Sequence, residues 1–485
     1  MLLNLREASG PLYRRVYHAL KAMIRAGRLG PAARLPSTRV LARDLGVSRN
    51  TVMLAYEQLA AEGYLVSRHR GTTSVAAGVV PSRVAPAPSR PKLEAAPRLS
   101  AYARRLVRDP LVPSSASAAP PQAPRYDFRY GSPAVDEFPR EIWRRLLAAR
   151  ARRAARESFG YGSPAGYGPL REALSEYLGR ARGVSCDAER IVIVNGSQQA
   201  LDLISRVLLD PGDGAVVEEP HYSGITIPFE AAGARLIKVP VDASGLDTSR
   251  LPPAGAGARL AYVTPCHQFP TGVIMPLERR LALLRWASRV GAWVVEDDYV
   301  SEFRYEGHPL EALQSLDRAG RVIYIGTFSK TLFPALRLAY LVLPTPLVRP
   351  FIAAKWAADR FSPPLAQEAL AEFITSGQFE RYLHRAGARN ASRRRTLIEA
   401  LRRHFGSRVE IAGENTGVHL VVWFNDVKPR ELDAVIVRAA KAGVAVYSIA
   451  PAYARPLTRG GLLFGYAALT EGEIRAGIQR LAEAF

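Results

Sequence analysis

Cysteines and long apolar runs are scarce in this chain of 485 residues. Its two cysteines, Cys186 and Cys266, lie far apart in different sequence contexts, which argues against a disulfide framework and favours a reducing compartment. No uninterrupted apolar segment reaches the length of a membrane span. The N-terminal stretch MLLNLREASG carries an acid and no long apolar run, unlike a signal peptide. We therefore expect a cytoplasmic protein.

Acidic residues are also few, since the chain has 44 Asp and Glu but 66 Lys and Arg, which gives a net charge of +22. Residues 1–75 hold 12 Lys and Arg against 4 Asp and Glu, and residues 76–125 hold 8 against 2. The remaining 360 residues hold 46 against 38, so the first quarter carries most of the excess. A basic leading domain predicts a polyanionic partner. A generally arginine-rich proteome is the alternative explanation.

The distribution of proline divides the chain. Residues 78–125 contain ten prolines among Ala, Ser and Arg, without sustained periodicity. Proline removes backbone donors and favours extended neighbours, so this segment is predicted to be a semi-rigid linker. It separates a small head, residues 1–77, from a large body, residues 126–485. Because 48% of residues are apolar, a large core is expected in the body.

The head has the pattern of three helices followed by a hairpin. Its first helix is predicted to align five apolar residues on one face: Leu12, Val16, Leu20, Met23 and Ile24. Ser37 and Gly46 are the expected N-cap and stop of a second helix, and Ser48 caps a third. YLVSRHRGTTSV then predicts two short strands around a basic turn. This order of elements is that of a winged helix-turn-helix.

Such a module binds DNA through the first turn of its last helix, which enters the major groove. SRNT, residues 48–51, places two hydroxyls, an arginine and an amide at that turn. Arg39 opens the preceding helix, and a basic tip, Arg68 to Arg70, suits the minor groove or phosphates. The alternative is a helical protein-interaction module whose arginines are merely solvated.

The stretch LPSTRVLARDLGVSRNTVMLAYEQLAAEGYLVSRHRGT resembles the N-terminal DNA-binding domain of GntR-type regulators over about 65 residues. The resemblance implies operator DNA as partner. It implies these DNA-binding residues: Arg39, Ser48, Arg49, Asn50, Thr51, Arg70 and Gly71.

The body alternates helical segments with short apolar strands such as RIVIV, GAVVEEP, LAYVTP and VIYIG. This alternation predicts an α/β fold with a mostly parallel sheet and helices on both faces. Ligands of such sheets bind beyond the carboxyl ends of the strands. The candidate functional residues fall at those ends.

Several strand ends carry groups suited to one cofactor. Gly196 and the following helix start form a possible anion site, and Tyr222 either stacks on a planar ring or packs in the core. The acid run EDDY, residues 296–299, needs cations or donors; a metal site is the competing idea, although no histidine cluster accompanies it. Lys330 follows the next strand. Pyridoxal 5′-phosphate (PLP) requires an amine, a carboxylate, a stacking ring and a phosphate cup together.

Along nearly its full length, the body resembles fold-type I aminotransferases, which have a smaller C-terminal lobe. The motifs are YGYGSPAGYGPLREAL, NGSQQAL, TPCHQFPTG, EDDY and SKTLFPALR. The resemblance implies Lys330 as the amine that bonds covalently to PLP and Asp297 as the partner of the pyridine nitrogen, with Glu296 and Asp298 as alternatives. It implies further cofactor contacts by Tyr299, Tyr222, Ser197, Gln198, Thr327, Arg337 and, from a second subunit, Tyr161.

Two positions depart from the aminotransferase pattern. Phe269 stands where an asparagine usually precedes PTG, and Leu463 stands where an arginine usually binds the substrate carboxylate. Arg455 and Arg459 are nearby but out of register. The cofactor site is therefore expected to be more complete than an amino-acid substrate site.

Head, linker and body together have the arrangement of MocR/GabR-type regulators. The resemblance implies a PLP-binding, nucleoid-associated transcription factor, usually a head-to-tail homodimer, whose body senses an amine or amino-acid effector. Two alternatives stay open: an active PLP-dependent aminotransferase with an added DNA-binding head, and a regulator for which PLP itself is the signal. The basic runs 144–156 and 392–405 are expected to be solvated helix faces or an extension of the DNA track.

Overall fold

The computed structural model describes residues 10–68, 72–78, 98–108, 124–153, 160–307 and 310–485. The chain divides into two compact units, Met1–Arg98 and Leu99–Phe485. Among the described residues, no helix is both long and apolar enough to cross a membrane.

The first unit is a winged helix-turn-helix, as predicted. Its elements are α1 (Leu12–Arg25), α2 (Thr38–Leu45), α3 (Arg49–Ala61), β1 (Leu65–Arg68) and β2 (Thr72–Val75). The Ser37 side chain accepts from the Val40 amide at the start of α2, and the Gly46 backbone is left-handed at its end. Strands β1 and β2 pair antiparallel. Val16, Leu20 and Ile24 are buried as expected, whereas Leu12 is 49% exposed.

Leu12 belongs to the predicted apolar face of α1 but is exposed, whereas Tyr17, which that prediction did not include, is buried. Leu12 is the first residue of the helix, where few neighbouring side chains surround it. The Tyr17 hydroxyl reaches Glu62 beyond the end of α3. The core of this unit therefore extends from α1 to α3 and the hairpin.

A short helix, α4 (Ala101–Leu106), lies within the segment predicted to be a linker. It belongs to the second unit. The Arg105 guanidinium donates two hydrogen bonds to the Ala231 carbonyl, at 2.9 and 2.7 Å. The Tyr102 hydroxyl donates to Asp202 at 3.3 Å. Part of the proline-rich segment is therefore bound to the body.

The larger sheet of the second unit has eight strands in the order β4-β11-β10-β9-β8-β5-β6-β7. Their bounds are β4 (Ile191–Val194), β5 (Gly214–Glu219), β6 (Arg235–Asp242), β7 (Gly245–Leu246), β8 (Ala258–Val263), β9 (Trp293–Asp298), β10 (Val322–Thr327) and β11 (Ala339–Val342). The neighbours from β10 to β6 run parallel, whereas β11 and β7 run antiparallel to theirs. The predicted mostly parallel sheet is thus confirmed.

Helices cover both faces of this sheet because its strands are apolar on both sides. Along β4, Ile191 and Ile193 pack into one core cluster, and Val192 and Val194 pack into another. The helices of this part are α5 (Arg140–Arg153), α6 (Gly168–Arg182), α7 (Ser197–Leu208), α8 (Thr226–Ala232), α9 (Leu277–Val290), α10 (Thr345–Asp359) and α11 (Pro364–Thr375).

A smaller C-terminal lobe follows, built on an antiparallel sheet of order β12-β13-β16-β15. Its elements are α12 (Gln378–Phe405), β12 (Val409–Ala412), β13 (His419–Phe424), α13 (Pro429–Lys441), β14 (Val444–Ala445), β15 (Tyr447–Ser448), β16 (Gly460–Gly465) and α14 (Glu471–Glu483). Strand β14 pairs with β3 (Tyr126–Asp127). Its core includes Phe128, Leu420 and Phe464.

The second basic run is not a solvated helix face throughout. Arg393 and Arg394 of α12 are buried. The Arg393 guanidinium donates to the Ala467 carbonyl at 2.6 Å and pairs with Glu137. Arg394 donates to the Glu414 carbonyl. Arg393 thus joins α12 to Glu137, just before α5, and Arg394 joins α12 to the segment between β12 and β13; both are engaged inside the protein and are not available to DNA.

Candidate functional site

One cavity, of about 210 Å³, lies where the carboxyl ends of several strands meet. Its lining includes every predicted cofactor residue of the body except Tyr161: Ser197, Gln198, Tyr222, Asp297, Tyr299, Thr327, Lys330 and Arg337. The topology explains this convergence, because parallel strands present their carboxyl ends at one edge of the sheet. Lining residues that sequence reasoning missed are Tyr130, Gly131, Tyr262, Thr264, Ser329, Pro334 and His419.

The acid run at the end of β9 is divided by its hydrogen bonds. Glu296 accepts from the backbone amides of Leu313 and Gln314, at 2.7 and 2.9 Å. Asp298 accepts from the Arg182 guanidinium at 2.7 Å and from the Tyr324 hydroxyl at 2.8 Å. Both carboxylates are therefore paired inside the protein.

Asp297 is the member of the run that lines the cavity. The Tyr262 hydroxyl donates to its Oδ2 atom at 2.6 Å, while Oδ1 has no partner among the described residues. Burial raises the pKa of the Asp297 carboxyl to about 6, although the Tyr262 hydrogen bond opposes the shift. A buried carboxylate with a free oxygen suits a positively charged ligand group.

Lys330 shares the cavity with Asp297. Burial lowers the pKa of its amine, and the Asp297 charge partly opposes this. Gly131 gives the amine its space, since a Cβ there would lie 2.7 Å from Lys330 Nζ. A lowered pKa increases the neutral, nucleophilic share of the amine.

One end of the cavity suits an anion. The amides of Ser197 and Gln198 open α7 after Gly196, and helix N-termini favour negative charge. The Arg337 guanidinium lies there and donates to the Asn195 carbonyl at 2.6 Å. A Cβ on Gly196 would lie 2.5 Å from this guanidinium. Gly196 is thus required for the close approach.

Aromatic rings form much of the remaining wall. Tyr222 is 36% exposed and lines the cavity, so core packing does not account for it. Its ring meets the Phe269 ring edge-on at 5.7 Å. Phe269 also contacts Tyr130, at 5.7 Å. The Tyr299 hydroxyl has no hydrogen-bond partner among the described residues.

Tyr161 is not part of this cavity. Its side chain is 81% exposed, next to Phe361 and the Arg360 guanidinium. Trp356, below the same guanidinium, is 46% exposed. These residues form an exposed aromatic patch.

The predicted DNA-binding residues of the first unit lie at the start of α2 and α3. Arg39, Ser48, Arg49 and Asn50 are exposed, and Thr51 is half-buried. Ser48 caps α3, because the Thr51 amide donates to its hydroxyl at 3.1 Å. The other two predicted contacts, Arg70 and Gly71, lie outside the described residues.

No group of three or more His, Cys, Asp or Glu side chains capable of holding a metal ion is found in the described part of the chain. The metal alternative for the acid run is also at odds with the separate partners of its three carboxylates.

Two protein families match the chain. Aminotransferase class I and II matches residues 134–481, and the gntR family of bacterial regulatory proteins matches residues 12–75. The probable rhizopine catabolism regulatory protein MocR of Rhizobium meliloti is 39% identical, with 100% of this chain and 96% of MocR covered. The HTH-type transcriptional regulator TauR of Rhodobacter capsulatus is 33% identical, with 98% of this chain and 96% of TauR covered.

Among solved structures, Pyrococcus horikoshii kynurenine aminotransferase, crystallised with PMP, is similar to the second unit. The TM-score is 0.69 and the identity 33%, over 75% of this chain and 91% of that one.

Proposed function

The chain belongs to the gntR family of bacterial regulatory proteins, in the group that also carries an aminotransferase class I and II domain, and we propose that it is a PLP-dependent transcriptional regulator. The head binds operator DNA, and the body binds PLP and senses a small ligand. The observation that carries the proposal is the presence in one chain of the DNA-binding fold and a cavity with the groups that PLP requires.

The residues of the cavity fit the cofactor. Asp297 Oδ1 and the Tyr299 hydroxyl are buried polar atoms without a partner among the described residues, and such atoms are costly unless a ligand satisfies them. Asp297 would pair with the pyridine nitrogen, and Tyr299 would donate to the phenolic oxygen. When bound, PLP supplies an electrophilic carbon to which primary amines attach.

The chain's own residues hold and orient that group. Tyr222 would stack on the ring, while Asp297 would keep a proton on the ring nitrogen. The amine of Lys330, its pKa lowered by burial, would be the resident nucleophile. The phosphate would be held by these residues: Ser197, Gln198, Thr327 and Arg337.

The head would contact DNA through the exposed start of α3. Arg49 and Asn50 are exposed there, where base edges and phosphates are within reach of a recognition helix. Action on chromosomal DNA would place the protein in the cytoplasm, at the nucleoid.

We further propose a head-to-tail homodimer in which Tyr161 reaches the cavity of a second copy. The aromatic patch of exposed Tyr161 and Trp356 and half-buried Phe361 supports this, because large aromatic side chains are enriched at protein interfaces. Mass measurement in solution at several concentrations would test it; a monomer at micromolar concentration would contradict the dimer.

Sensing, rather than sustained amino-group transfer, is favoured by Leu463. This residue is 2% exposed and packs with Phe269, Val421 and Ile449 in an apolar cluster, so an apolar side chain stands where an aminotransferase would bind the substrate carboxylate with an arginine. An active aminotransferase is the rival function.

The decisive experiment measures DNA binding and turnover on the same preparation. The regulator should bind DNA upstream of its own gene, and its affinity should change with PLP or with an amine. Sustained turnover with an amino acid and a keto acid, without any effect on DNA affinity, would favour the enzyme. A change in DNA affinity caused by PLP alone, with no further effect of any amine, would favour cofactor sensing.

A further inference from the structure

The antiparallel sheet of the C-terminal lobe supplies one wall of the ligand site. In β13, His419 lines the cavity beside Phe269. Val421 lies two residues further along the strand and therefore on the same face. Across the ladders, Leu463 pairs with Val421 on β13 and with Tyr447 on β15. Of these residues, His419 lines the cavity, whereas Val421, Leu463 and Tyr447 pack with the lining residue Phe269 in an apolar cluster that backs this wall.

Cations are few at this wall. Among the described residues that line the cavity, Lys330 and Arg337 are the Lys and Arg side chains, and Arg337 lies at the anion end beside Gly196. Arg459 lies near the wall, over the Trp423 ring at 4.8 Å, but pairs with Glu410 at 2.6 Å. Arg129 is the other candidate. It is 61% exposed, pairs with Asp127 at 3.3 Å and lies over the Tyr447 ring at 5.2 Å. A carboxylate at the wall would have to be desolvated without an ionic partner there, which is costly.

His419 presents a neutral hydrogen-bond acceptor. Its Nε2 lies 3.1 Å from the Pro270 carbonyl oxygen; a carbonyl only accepts, so we assign the ring proton to Nε2. Nδ1 then carries a lone pair, and no described residue donates to it. Burial and the nearby Lys330 charge lower the pKa of the imidazole to about 4, so it is neutral at physiological pH.

We propose that the effector is a primary amine that carries a hydroxyl group and no α-carboxylate, with the hydroxyl donating to His419 Nδ1. A carboxylate accepts only and would face a second acceptor there, whereas a hydroxyl can donate. The aromatic neighbours of His419, Tyr130 and Phe269, lie 6.5 and 5.7 Å from its ring and suit the carbon skeleton. The inference rests on the proposed binding of an amine in the PLP site and specifies its chemical class.

Three probes with the same carbon skeleton test the proposal on the full-length, PLP-loaded protein: serinol, serine and isopropylamine. On the carbon that bears the amine, serinol carries two hydroxymethyl groups, serine carries one hydroxymethyl group and one carboxylate, and isopropylamine carries two methyl groups. Binding is followed by the visible absorbance and, independently, by the thermal unfolding midpoint. Serinol should bind at least about tenfold more tightly than either, roughly the value of one well-placed hydrogen bond.

Two substitutions locate the preference. His419→Leu should remove the advantage of serinol over isopropylamine, whereas His419→Gln, which keeps an acceptor oxygen, should retain part of it. Leu463→Arg should improve serine binding relative to serinol, and Leu463→Met serves as its matched control.

Serine binding to the wild type as tightly as serinol would overturn the inference while leaving amine sensing intact. An unchanged serinol preference in His419→Leu would also overturn it. If none of the probes altered a visible absorbance that is present, amine sensing itself would fail, and the inference with it.

Discussion

The Tyr262 hydroxyl donates a 2.6 Å hydrogen bond to Asp297 Oδ2, and this pairing leaves Oδ1 of the same carboxylate free. Tyr262 comes from the end of β8 and Asp297 from the end of β9, which are parallel neighbours. The hydrogen bond fixes the carboxylate and favours its charged form. It thereby prepares one oxygen for a cationic ligand group in the cavity.

Replacing Lys330 should abolish covalent capture of the cofactor. In Lys330→Ala, the visible absorbance that the wild type shows with PLP should disappear, because Lys330 is the lysine among the described residues that line the cavity. Lys441→Ala, which removes an exposed lysine of α13, should keep it. A wild-type protein that stays colourless after PLP addition would contradict the proposed cofactor site.

A methyl group at Gly196 should weaken PLP binding. The backbone of Gly196 has φ of 101°, and a Cβ would lie 2.5 Å from the Arg337 guanidinium, so alanine adds backbone strain and displaces the arginine that we propose as a phosphate ligand. We expect at least about a tenfold loss of PLP affinity, which corresponds to 1.4 kcal/mol.

Gly168→Ala is the control for Gly196→Ala, since a Cβ there meets nothing within 4 Å. PLP titrations of both variants measure the difference. Equal PLP affinities for both variants would contradict the assignment of the phosphate end.

The buried carboxyl of Glu218 should make the cofactor-free protein less stable at high pH. Burial raises the pKa of Glu218 to about 7, although hydrogen bonds from Thr264 and Gln268 oppose the shift. The native state therefore keeps this proton over a pH range in which the unfolded chain has lost it. Stability therefore falls as pH rises from about 4.5 to about 7, and the loss is complete above that range.

Glu218→Gln should remove this contribution. Relative to the wild type, the free energy of unfolding of the variant should be higher by up to about 3 kcal/mol at pH 8, since each pKa unit corresponds to about 1.36 kcal/mol. At pH 4 the two proteins should differ little. Glu296 and Asp297 also have raised pKa values, about 7 and about 6. Part of the dependence of stability on pH should therefore remain in the variant. Denaturant unfolding at both pH values measures the effect; an identical slope in both proteins would contradict it.

Two substitutions should separate DNA contact from folding of the head. Arg49→Ala should weaken binding to the DNA upstream of the gene by about 1–3 kcal/mol and lower its salt dependence, without changing stability. Arg430→Ala makes the same charge change on an exposed site of the body and should have little effect.

Ser48→Ala should act through folding, because it removes the cap of α3. A loss of about 1 kcal/mol in stability is expected, and Ser48→Asn should restore most of it. Thermal unfolding of the variants measures this; unchanged stability in Ser48→Ala would show that the cap contributes little.

Much of the fold was predictable because its determinants are local. Short apolar runs predicted the strands of the large sheet, and Ser37, Gly46 and Ser48 marked helix ends in the head. The exposure of Leu12 was not predictable in this way. Periodicity identifies the apolar face of α1, but it does not show whether other elements cover the first residue of that face. The places of Lys330, the acid run and Tyr222 at strand ends predicted one common site, and the structure brings Lys330, Asp297 and Tyr222 to one cavity.

The sequence by itself determined which strands form and which polar groups follow them, because both depend on neighbouring residues. Only the tertiary structure decided which member of the acid run faces the cavity, since Arg182 and Tyr324 engage Asp298 from distant segments. It also brought Tyr262 to Asp297, buried Arg393, placed His419 in the lining of the cavity and packed Leu463 into the apolar cluster of Phe269. Those relationships arise from packing between remote elements, which no local pattern records.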